Sequence, residues 1–430
     1  MNQNHHAPLR AGLLGERLGH SYSPKIHHAL ADEPYTYELF ERAPDALESF
    51  LLGDEWDALN VTIPYKKAVM PYLAEISPQA ASIGAVNTVT RMSDGRLYGD
   101  NTDYFGFDYT LCQSGVDVRG KVALVLGNGG AAATAVAVLR DRGATVVLLA
   151  RSDVSVGGIL PEPFETVYEK HPDATVAVNC TPLGMYPRFV GESPIDPAKL
   201  PHLEAVFDMV YNPARTALLQ AAAARGIPTY NGLIMLVAQA LRASEIFRGI
   251  PHDPNCKDII DRTVSAIEHE TANIVLVGMP GCGKSTIAER LAAALERPLM
   301  DTDAMVVDAT GRTIPAIFAE DGEAVFRAFE TEAVKKAGMM SGAVIATGGG
   351  VVTQACNQAP LSQNGWIVFI ERDLDRLPTK GRPLSEAHPL AEMYGQRLPL
   401  YRAFANVTVS NNGTVDETVE TILHVLGYCM

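Results

Sequence analysis

The chain has 430 residues, 47% of them hydrophobic, and a formal net charge of −15. That length calls for two or three domains, each able to bury an ordinary core. So acidic a balance excludes a protein built to grip nucleic acid, which needs basic phosphate contacts, yet leaves small anionic ligands open, because a few local Arg, Lys and backbone N–H groups hold those whatever the global sign.

Residues 1–10 are polar, carry His5 and His6 and have no apolar h-region, so no secretory leader is expected. The apolar run 9–14 ends in Gly15, the pattern of a buried strand closed by a glycine turn. His20-Ser21-Tyr22-Ser23-Pro24 places two hydroxyls on a turn ahead of a helix. A β-like run at 58–61 leads into Thr62-Ile63-Pro64-Tyr65-Lys66, and Asn87-Thr88 and Gly99-Asp100-Asn101-Thr102-Asp103 follow. The run 122–126 ends in Gly127 and precedes a helical pattern over 131–142. Strands are expected at 145–150, 175–179 and 205–208, and helices at 216–225 and 234–247. After the turn Pro251-His252-Asp253-Pro254 come a helix at 258–269, a third glycine-ended strand at 273–277 and a helix at 286–295. Such alternation implies an α/β fold with parallel sheets and crossover helices. No apolar run approaches the ~18 residues that span a bilayer, so no membrane partner is expected. The six cysteines, at 112, 180, 256, 282, 356 and 429, form no Cys-x-x-Cys pair, which fits a reduced, cytoplasmic setting.

Residues 278–285 read Gly-Met-Pro-Gly-Cys-Gly-Lys-Ser and match G-x-x-x-x-G-K-[ST] between a strand and a helix. Gly278, Gly281 and Gly283 let the backbone, including the N–H of Cys282, wrap a phosphate. The helix start at Thr286 adds partial positive charge. Lys284 would reach the outer phosphates of ATP and Ser285 would give an oxygen to Mg²⁺. Asp301-Thr302-Asp303 lies at the end of a short strand, where alternation would put both carboxylates on one side. One of Asp301 and Asp303 would then support Mg²⁺ and the other accept a substrate hydroxyl proton, the rival reading being a solvated acidic turn. Arg327 and Glu330 stand one helical turn apart, a spacing usually found in surface ion pairs. Thr347-Gly348-Gly349-Gly350 ends a strand and invites close approach by a ligand. Arg382 falls in a loop-like Lys-Gly-Arg-Pro-Leu segment and Arg397 in Arg-Leu-Pro-Leu-Tyr-Arg.

Gly127-Asn128-Gly129-Gly130-Ala131-Ala132 fits the dinucleotide pattern G-x-G-x-x-[GA], again between strand and helix. Arg151, after the next strand, suits a 2′-phosphate and hence NADP(H), while Asp153 keeps NAD open. Reduction of a carbonyl by hydride needs a proton donor beside the oxygen, and a Lys paired with an Asp supplies one. Lys66 and Asp103 are the candidates; taken singly they read as a solvated lysine and a helix N-cap.

The motifs HSYSP, NVTIPYK, GAVNT, GDNTD, GNGGAA and NGLIMLVAQA, in this order over residues 8–270, closely resemble shikimate dehydrogenase. The resemblance implies that Ser21, Ser23, Thr62, Asn87, Asp103, Tyr211 and Gln239 contact substrate. Lys66 would be the acid/base, assisted by Asp103. Residues 127–132, Arg151, Thr181, Met209 and Gly232 would line the cofactor. Two positions depart from the family: Ala150-Arg151-Ser152 stands where Asn-Arg-Thr is frequent, and Asn128 where alanine is usual. From about 272 to 430, GMPGCGKST, DTD, GR-x-I-x-x-IF-x-x-x-GE-x-x-FR-x-x-E, GGG, RPL and R-x-PLY resemble shikimate kinase. That resemblance places shikimate on Asp303, Arg327, Gly349 and Arg397, the two arginines facing its carboxylate, and brings Arg382 from a lid onto the nucleotide. Here 371–380 is short and proline-interrupted where the family has a longer helix.

The expected layout is therefore an α/β substrate lobe over 1–105, a Rossmann NADP-binding lobe over 106–270 with a closing helix returning to the first, and a P-loop α/β/α kinase domain with a parallel sheet over 271–430. The expected reactions are consecutive: reduction of 3-dehydroshikimate, then phosphorylation of shikimate. The rivals are a quinate-oxidising, NAD-using dehydrogenase, a kinase for another polyol acid, and a retired enzyme acting as a shikimate or quinate sensor. Homo-oligomerisation is left open.

Overall fold

The computed structural model describes residues 8–19, 21–30, 35–377 and 390–428. These fall into two compact units. The first runs to Met185 and adds Phe189–Tyr211 and Leu218–Ile267; the second combines Tyr186–Arg188, Asn212–Ala217 and the chain from Glu268 onward. Among the described residues no helix is long and apolar enough to cross a membrane, and Cys112, Cys180, Cys256, Cys282 and Cys356 are free thiols.

The first unit holds two sheets. One comprises β1 (Arg10–Gly15), β2 (Thr36–Glu41), β3 (Ala58–Val61), β4 (Glu75–Ile76), β5 (Thr88–Arg91) and β6 (Leu97–Asp100), in the order β2-β1-β3-β5-β6-β4. This sheet corrects the expectation of parallel pairing throughout, because β5 runs antiparallel to both β3 and β6. The connection 92–96 is closed by Met92 N donating to Arg96 O at 2.8 Å; so short a link allows a hairpin and no crossover.

The other sheet is parallel throughout: β7 (Val122–Leu126), β8 (Thr145–Leu149), β9 (Val176–Asn179), β10 (Ala205–Asp208) and β11 (Thr229–Tyr230), ordered β8-β7-β9-β10-β11. A single parallel bridge from Leu149 to Glu162 adds an extended residue outside β8. With it counted, the order is the 3-2-1-4-5-6 of dinucleotide-binding sheets, whose ligands lie beyond the carboxyl ends of the strands where the order reverses. Those ends are Gly127 after β7 and Cys180-Thr181 after β9. The buried strand residues Ala123 and Val125 pack on Ala132, Ala135 and Val136 of the alanine-rich helix that follows.

Four helices fix the site of this unit: α1 (Ser23–Leu30), α2 (Thr102–Ser114), α3 (Gly130–Asp141) and α4 (Leu233–Arg248). Helix α4 leaves the second sheet and returns to the first lobe, where Val237 and Leu241 share a core with Ile26 and Leu30 of α1.

The second unit is one parallel sheet: β12 (Asn273–Val277), β13 (Leu299–Asp301), β14 (Val344–Ala346), β15 (Gly365–Glu371) and β16 (Val407–Ser410), ordered β13-β14-β12-β15-β16. Strands covered on both faces read as continuous apolar runs; Ile274 to Val277 and Ile367 to Ile370 are fully buried, against Ile287, Leu291 and Ile422 among others. Helices α5 (Lys284–Leu295), α6 (Thr302–Thr310), α7 (Glu323–Gly338), α8 (Leu390–Phe404) and α9 (Val415–Val425) surround it.

Two candidate active sites

In the first unit the chemistry gathers at Lys66, on the helical turn Tyr65–Ala68 just after β3. Its backbone is tied to the approach to β5, since Val86 N donates to Lys66 O at 2.8 Å. Its ammonium lies 2.5 Å from Asp103 Oδ2, with both side chains largely covered. Asp103 is not the N-cap of α2: Asn101 caps that helix, accepting from Asp103 N at 3.1 Å. The carboxylate is thereby free to face Lys66, and neither single-residue rival reading describes the pair. Asn87 Nδ2 donates to Asp103 Oδ1 at 2.9 Å, and its Oδ1 accepts from Thr102 N at 2.7 Å, which fixes the amide. Thr102 Oγ1 reaches Gln239 Oε1 of α4 at 3.3 Å. Thr62 is anchored by its N–H to Leu14 O at 2.9 Å.

Ser21 donates its hydroxyl to Ser23 Oγ at 3.1 Å. Between the serines, Tyr22 stacks at a tilt on Tyr211, ring centres 5.3 Å apart. Burial raises the Tyr211 phenol above its ordinary range, so it acts as a neutral hydroxyl. Tyr37 donates to Asn60 Oδ1 at 2.7 Å. Tyr37 was not among the sequence candidates, and nothing in its local pattern marks it.

The dinucleotide loop is built for a ligand. Gly127 sits at φ +106°, where a Cβ would lie 3.0 Å from Thr181 Cγ2, so the two strand ends can approach only with glycine there. Gly129, the N-cap of α3, has no side-chain cap, which leaves the first N–H groups of the helix available to a phosphate. A Cβ on Gly130 would stand 3.8 Å from Lys66 Cδ, so the phosphate loop and the Lys–Asp pair adjoin. Thr181 is held by Asn179, whose Oδ1 accepts from its hydroxyl at 2.7 Å and whose backbone O accepts from Met209 N at 2.9 Å. Gly232 N donates to Val210 O at 3.1 Å, bringing the start of α4 against the end of β10. Arg151 and Ser152 lie exposed on the loop after β8, and Asn128 Nδ2 donates to Ser152 Oγ at 2.7 Å.

In the second unit Gly278, Gly281 and Gly283 have φ of +153°, +86° and +100°, conformations that a side chain would strain. Lys284 Nζ curls back on the loop carbonyls, donating to Gly278 O at 2.9 Å and Met279 O at 3.1 Å. Asn411 Nδ2 braces the loop through Cys282 O at 2.7 Å. Asp301 and Asp303 are related differently from the strand alternation expected. Asp301 is the N-cap of α6, its Oδ1 accepting from Asp303 N and Ala304 N, and Asp303 lies inside that helix. The short strand gives way to a helix at Thr302, so the helical turn, not the pleat, sets their directions. Asp303 Oδ1 is buried with no hydrogen-bond partner among the described residues. Burial, then Asp301, raise its carboxyl above the ordinary range against the pull of Lys284 and Arg327.

Arg327 and Glu330 are no surface pair. The arginine side chain is 6% exposed and the glutamate 0%, and they meet at 2.8 Å, with Glu323 on the other guanidinium nitrogen at 2.9 Å. A Cβ on Gly348 would fall 2.6 Å from Asp303 Oδ1, and one on Gly350 would land on the Arg327 guanidinium. The glycine run is what lets these charged groups converge. Gly349 O accepts from Arg397 Nη1 at 3.2 Å and from the Tyr401 hydroxyl. A cavity of about 320 Å³ is lined by Arg397, Glu323, Gln396 and their neighbours. Arg382 lies outside the described residues.

Ser285 lies in the first turn of α5 and Asp301 caps α6. Among the described residues no group of three or more His, Cys, Asp or Glu could hold a metal ion.

Two family models match the chain: a shikimate dehydrogenase substrate-binding domain over residues 13–89 and a shikimate kinase over 280–427. The chain is 37% identical over 249 residues to the NADP(+) shikimate dehydrogenase of Clostridium beijerinckii, which spans 55% of this chain and 91% of that protein. It is similar to the crystal structure of a chorismate mutase/shikimate 5-dehydrogenase fusion from Clostridium acetobutylicum, with TM-score 0.56 and 36% identity, covering 61% of this chain and 97% of that one. It is also similar to a Thermus thermophilus shikimate 5-dehydrogenase in complex with NADP(H) and shikimate, with TM-score 0.52 and 34% identity, covering 59% and 99%. The chain belongs to the shikimate dehydrogenase family over its N-terminal part and joins to it a C-terminal shikimate kinase domain.

Proposed function

We propose that this is a bifunctional cytoplasmic enzyme of aromatic amino-acid biosynthesis. Residues 1–270 would reduce 3-dehydroshikimate to shikimate with NADPH, and residues 271–430 would phosphorylate shikimate to shikimate 3-phosphate with ATP and Mg²⁺. The observation that carries the reading is the Lys66–Asp103 pair at 2.5 Å beside the dinucleotide loop.

Bound NADPH would supply hydride to the ketone carbon. As the carbonyl electrons move to oxygen, the Lys66 ammonium gives that oxygen a proton and leaves an alcohol. Asp103 keeps the lysine aimed through their 2.5 Å contact, and Asn87 holds Asp103. Ser21, Ser23, Thr62, Tyr211 and Gln239 would fix the substrate's carboxylate and hydroxyls. Gly127 to Ala132, Thr181, Met209 and Gly232 would shape the cofactor site, and Arg151 would meet the 2′-phosphate.

In the kinase domain Arg327 and Arg397 would hold the substrate carboxylate, since guanidinium groups pair with carboxylates through two hydrogen bonds. Asp303 Oδ1, buried and without a hydrogen-bond partner among the described residues, would receive the proton of the attacking hydroxyl. Lys284 would leave the loop carbonyls for the transferring phosphate, with Ser285 and Asp301 serving Mg²⁺ and Arg382 closing over the nucleotide.

Two variants separate the halves. Lys66→Ala should abolish NADPH consumption with 3-dehydroshikimate while phosphorylation of added shikimate persists, and Lys284→Ala should do the converse. Loss of both activities in either variant, or consumption of NADH in place of NADPH, would overturn the corresponding part of the reading.

A further inference from the structure

The segment after β8 carries the groups available to discriminate between phosphorylated and plain dinucleotides, and it is almost untethered. Residues 151–155 are all exposed. Among the described residues, the hydrogen bonds to this segment come from one side chain: the two N–H groups of Asn128 Nδ2 are shared among Ser152 Oγ at 2.7 Å, Val154 O at 3.0 Å and Ser152 O at 3.1 Å. Backbone pairing before it ends with Gly127 N to Leu149 O and Ala150 N to Glu162 O, and resumes with the Val156–Ile159 turn. Asn128 occupies the second position of the phosphate loop, so one amide joins the loop that would hold the pyrophosphate to the loop that carries Arg151.

We propose that Asn128 is a positioning residue that makes this site select the 2′-phosphorylated cofactor, by pinning the 151–154 segment so that Arg151 and Ser152 are presented together. This rests on the reading of the second sheet as an NADP(H) site. Two physical points support it. Fixing a free backbone residue costs conformational entropy; a segment already pinned does not charge that cost to the binding of the 2′-phosphate. A hydroxyl has two acceptor lone pairs and one proton. Because Asn128 donates into Ser152 Oγ, the serine proton stays available for a phosphate oxygen.

The test uses the full-length chain and two fragments without a nicotinamide, 2′,5′-ADP and 5′-AMP, titrated calorimetrically into wild type, Asn128→Ala and Asn128→Asp, with thermal melts to verify folding. Asn128→Ala should weaken 2′,5′-ADP about tenfold, the scale of ordering one backbone residue, and leave 5′-AMP within about twofold. Asn128→Asp, which loses both N–H donors and adds negative charge, should weaken 2′,5′-ADP further. The NADPH-to-NADH ratio of kcat/KM should fall in step. Equal weakening of both fragments, or weakening of neither, overturns the proposal. Failure of the wild type to bind either fragment would instead overturn the NADP(H) reading on which it rests.

Discussion

Gly350→Ala is a small change with a large expected effect on phosphorylation. The added methyl would land on the Arg327 guanidinium. The far end of a free arginine would swing aside at little cost. Arg327 is not free: it is 6% exposed, held by Glu330, itself 0% exposed, and by Glu323. Displacing it breaks a buried pair and withdraws the fork from the position where a substrate carboxylate would meet it. A hydrogen bond to a charged group contributes about 1.5–3 kcal/mol, so losing a two-bond contact removes roughly 3–6 kcal/mol of substrate binding. At about 1.4 kcal/mol per tenfold, kcat/KM for shikimate should fall ~100-fold or more. The assay is ATP-dependent phosphorylation of added shikimate across a range of shikimate concentrations, with NADPH-dependent reduction of 3-dehydroshikimate as the control for an intact first unit. A kcat/KM within threefold of wild type would show that Arg327 does not hold the substrate or that the site yields freely.

Three further outcomes follow from the geometry. Asp303→Asn should lower the kinase kcat ~100-fold or more by removing the proton acceptor. Because burial raises the Asp303 carboxyl and the ionised form is the one that accepts a proton, the acid limb of the wild-type kcat profile should lie above the ordinary aspartate range; a flat profile down to pH 4 would exclude that role. His27 is buried, stacked on Tyr37 at 4.0 Å, and burial lowers its pKa to about 3. The unfolded chain therefore binds more protons than the folded one between about 6.5 and 3, so stability rises with pH across that window and falls by ~2 kcal/mol on going from neutral pH to 5. Chemical denaturation with and without His27→Gln measures this, since the variant should lose that part of the slope; an unchanged slope refutes it. Asn411→Ala should loosen the phosphate loop by removing the bond to Cys282 O, raising KM for ATP several-fold; an unaltered ATP dependence would show the brace to be dispensable.

Much of the scaffold was legible because its central strands are continuous apolar runs ended by glycine, as at 122–127 and 273–278. Strand β2 was not: TYELFE buries only Phe40 fully, so it offers no alternation to read. The hairpin of β5 and β6 was missed because TVTR and LYGD are short and half-polar. Strand β15 is fully apolar over Ile367 to Ile370 but runs into Glu371 with no glycine behind it, so the glycine-ended pattern that found β12 did not reach it. In the sites, residue type and order pointed to Lys66 and Asp103, but their contact joins positions 37 apart in the chain, a distance no local pattern spans. The Arg327–Glu330 spacing was read from the sequence, while its burial depends on α7 facing the glycine run. Asp301 and Asp303 were assigned to a pleat that would have to run through Asp303, whereas β13 ends at Asp301, two residues earlier.

The most direct test of two active sites in one chain is a single-vessel conversion. The purified protein receives 3-dehydroshikimate, NADPH, ATP and Mg²⁺, with NADPH followed by absorbance and products by mass. The account predicts loss of NADPH together with accumulation of shikimate 3-phosphate, and accumulation of unphosphorylated shikimate when ATP is withheld. If NADPH and ATP are both untouched, the intact Lys66–Asp103 and Lys284–Asp303 arrangements do not perform this chemistry, and a protein that binds shikimate or quinate without turning it over becomes the better description.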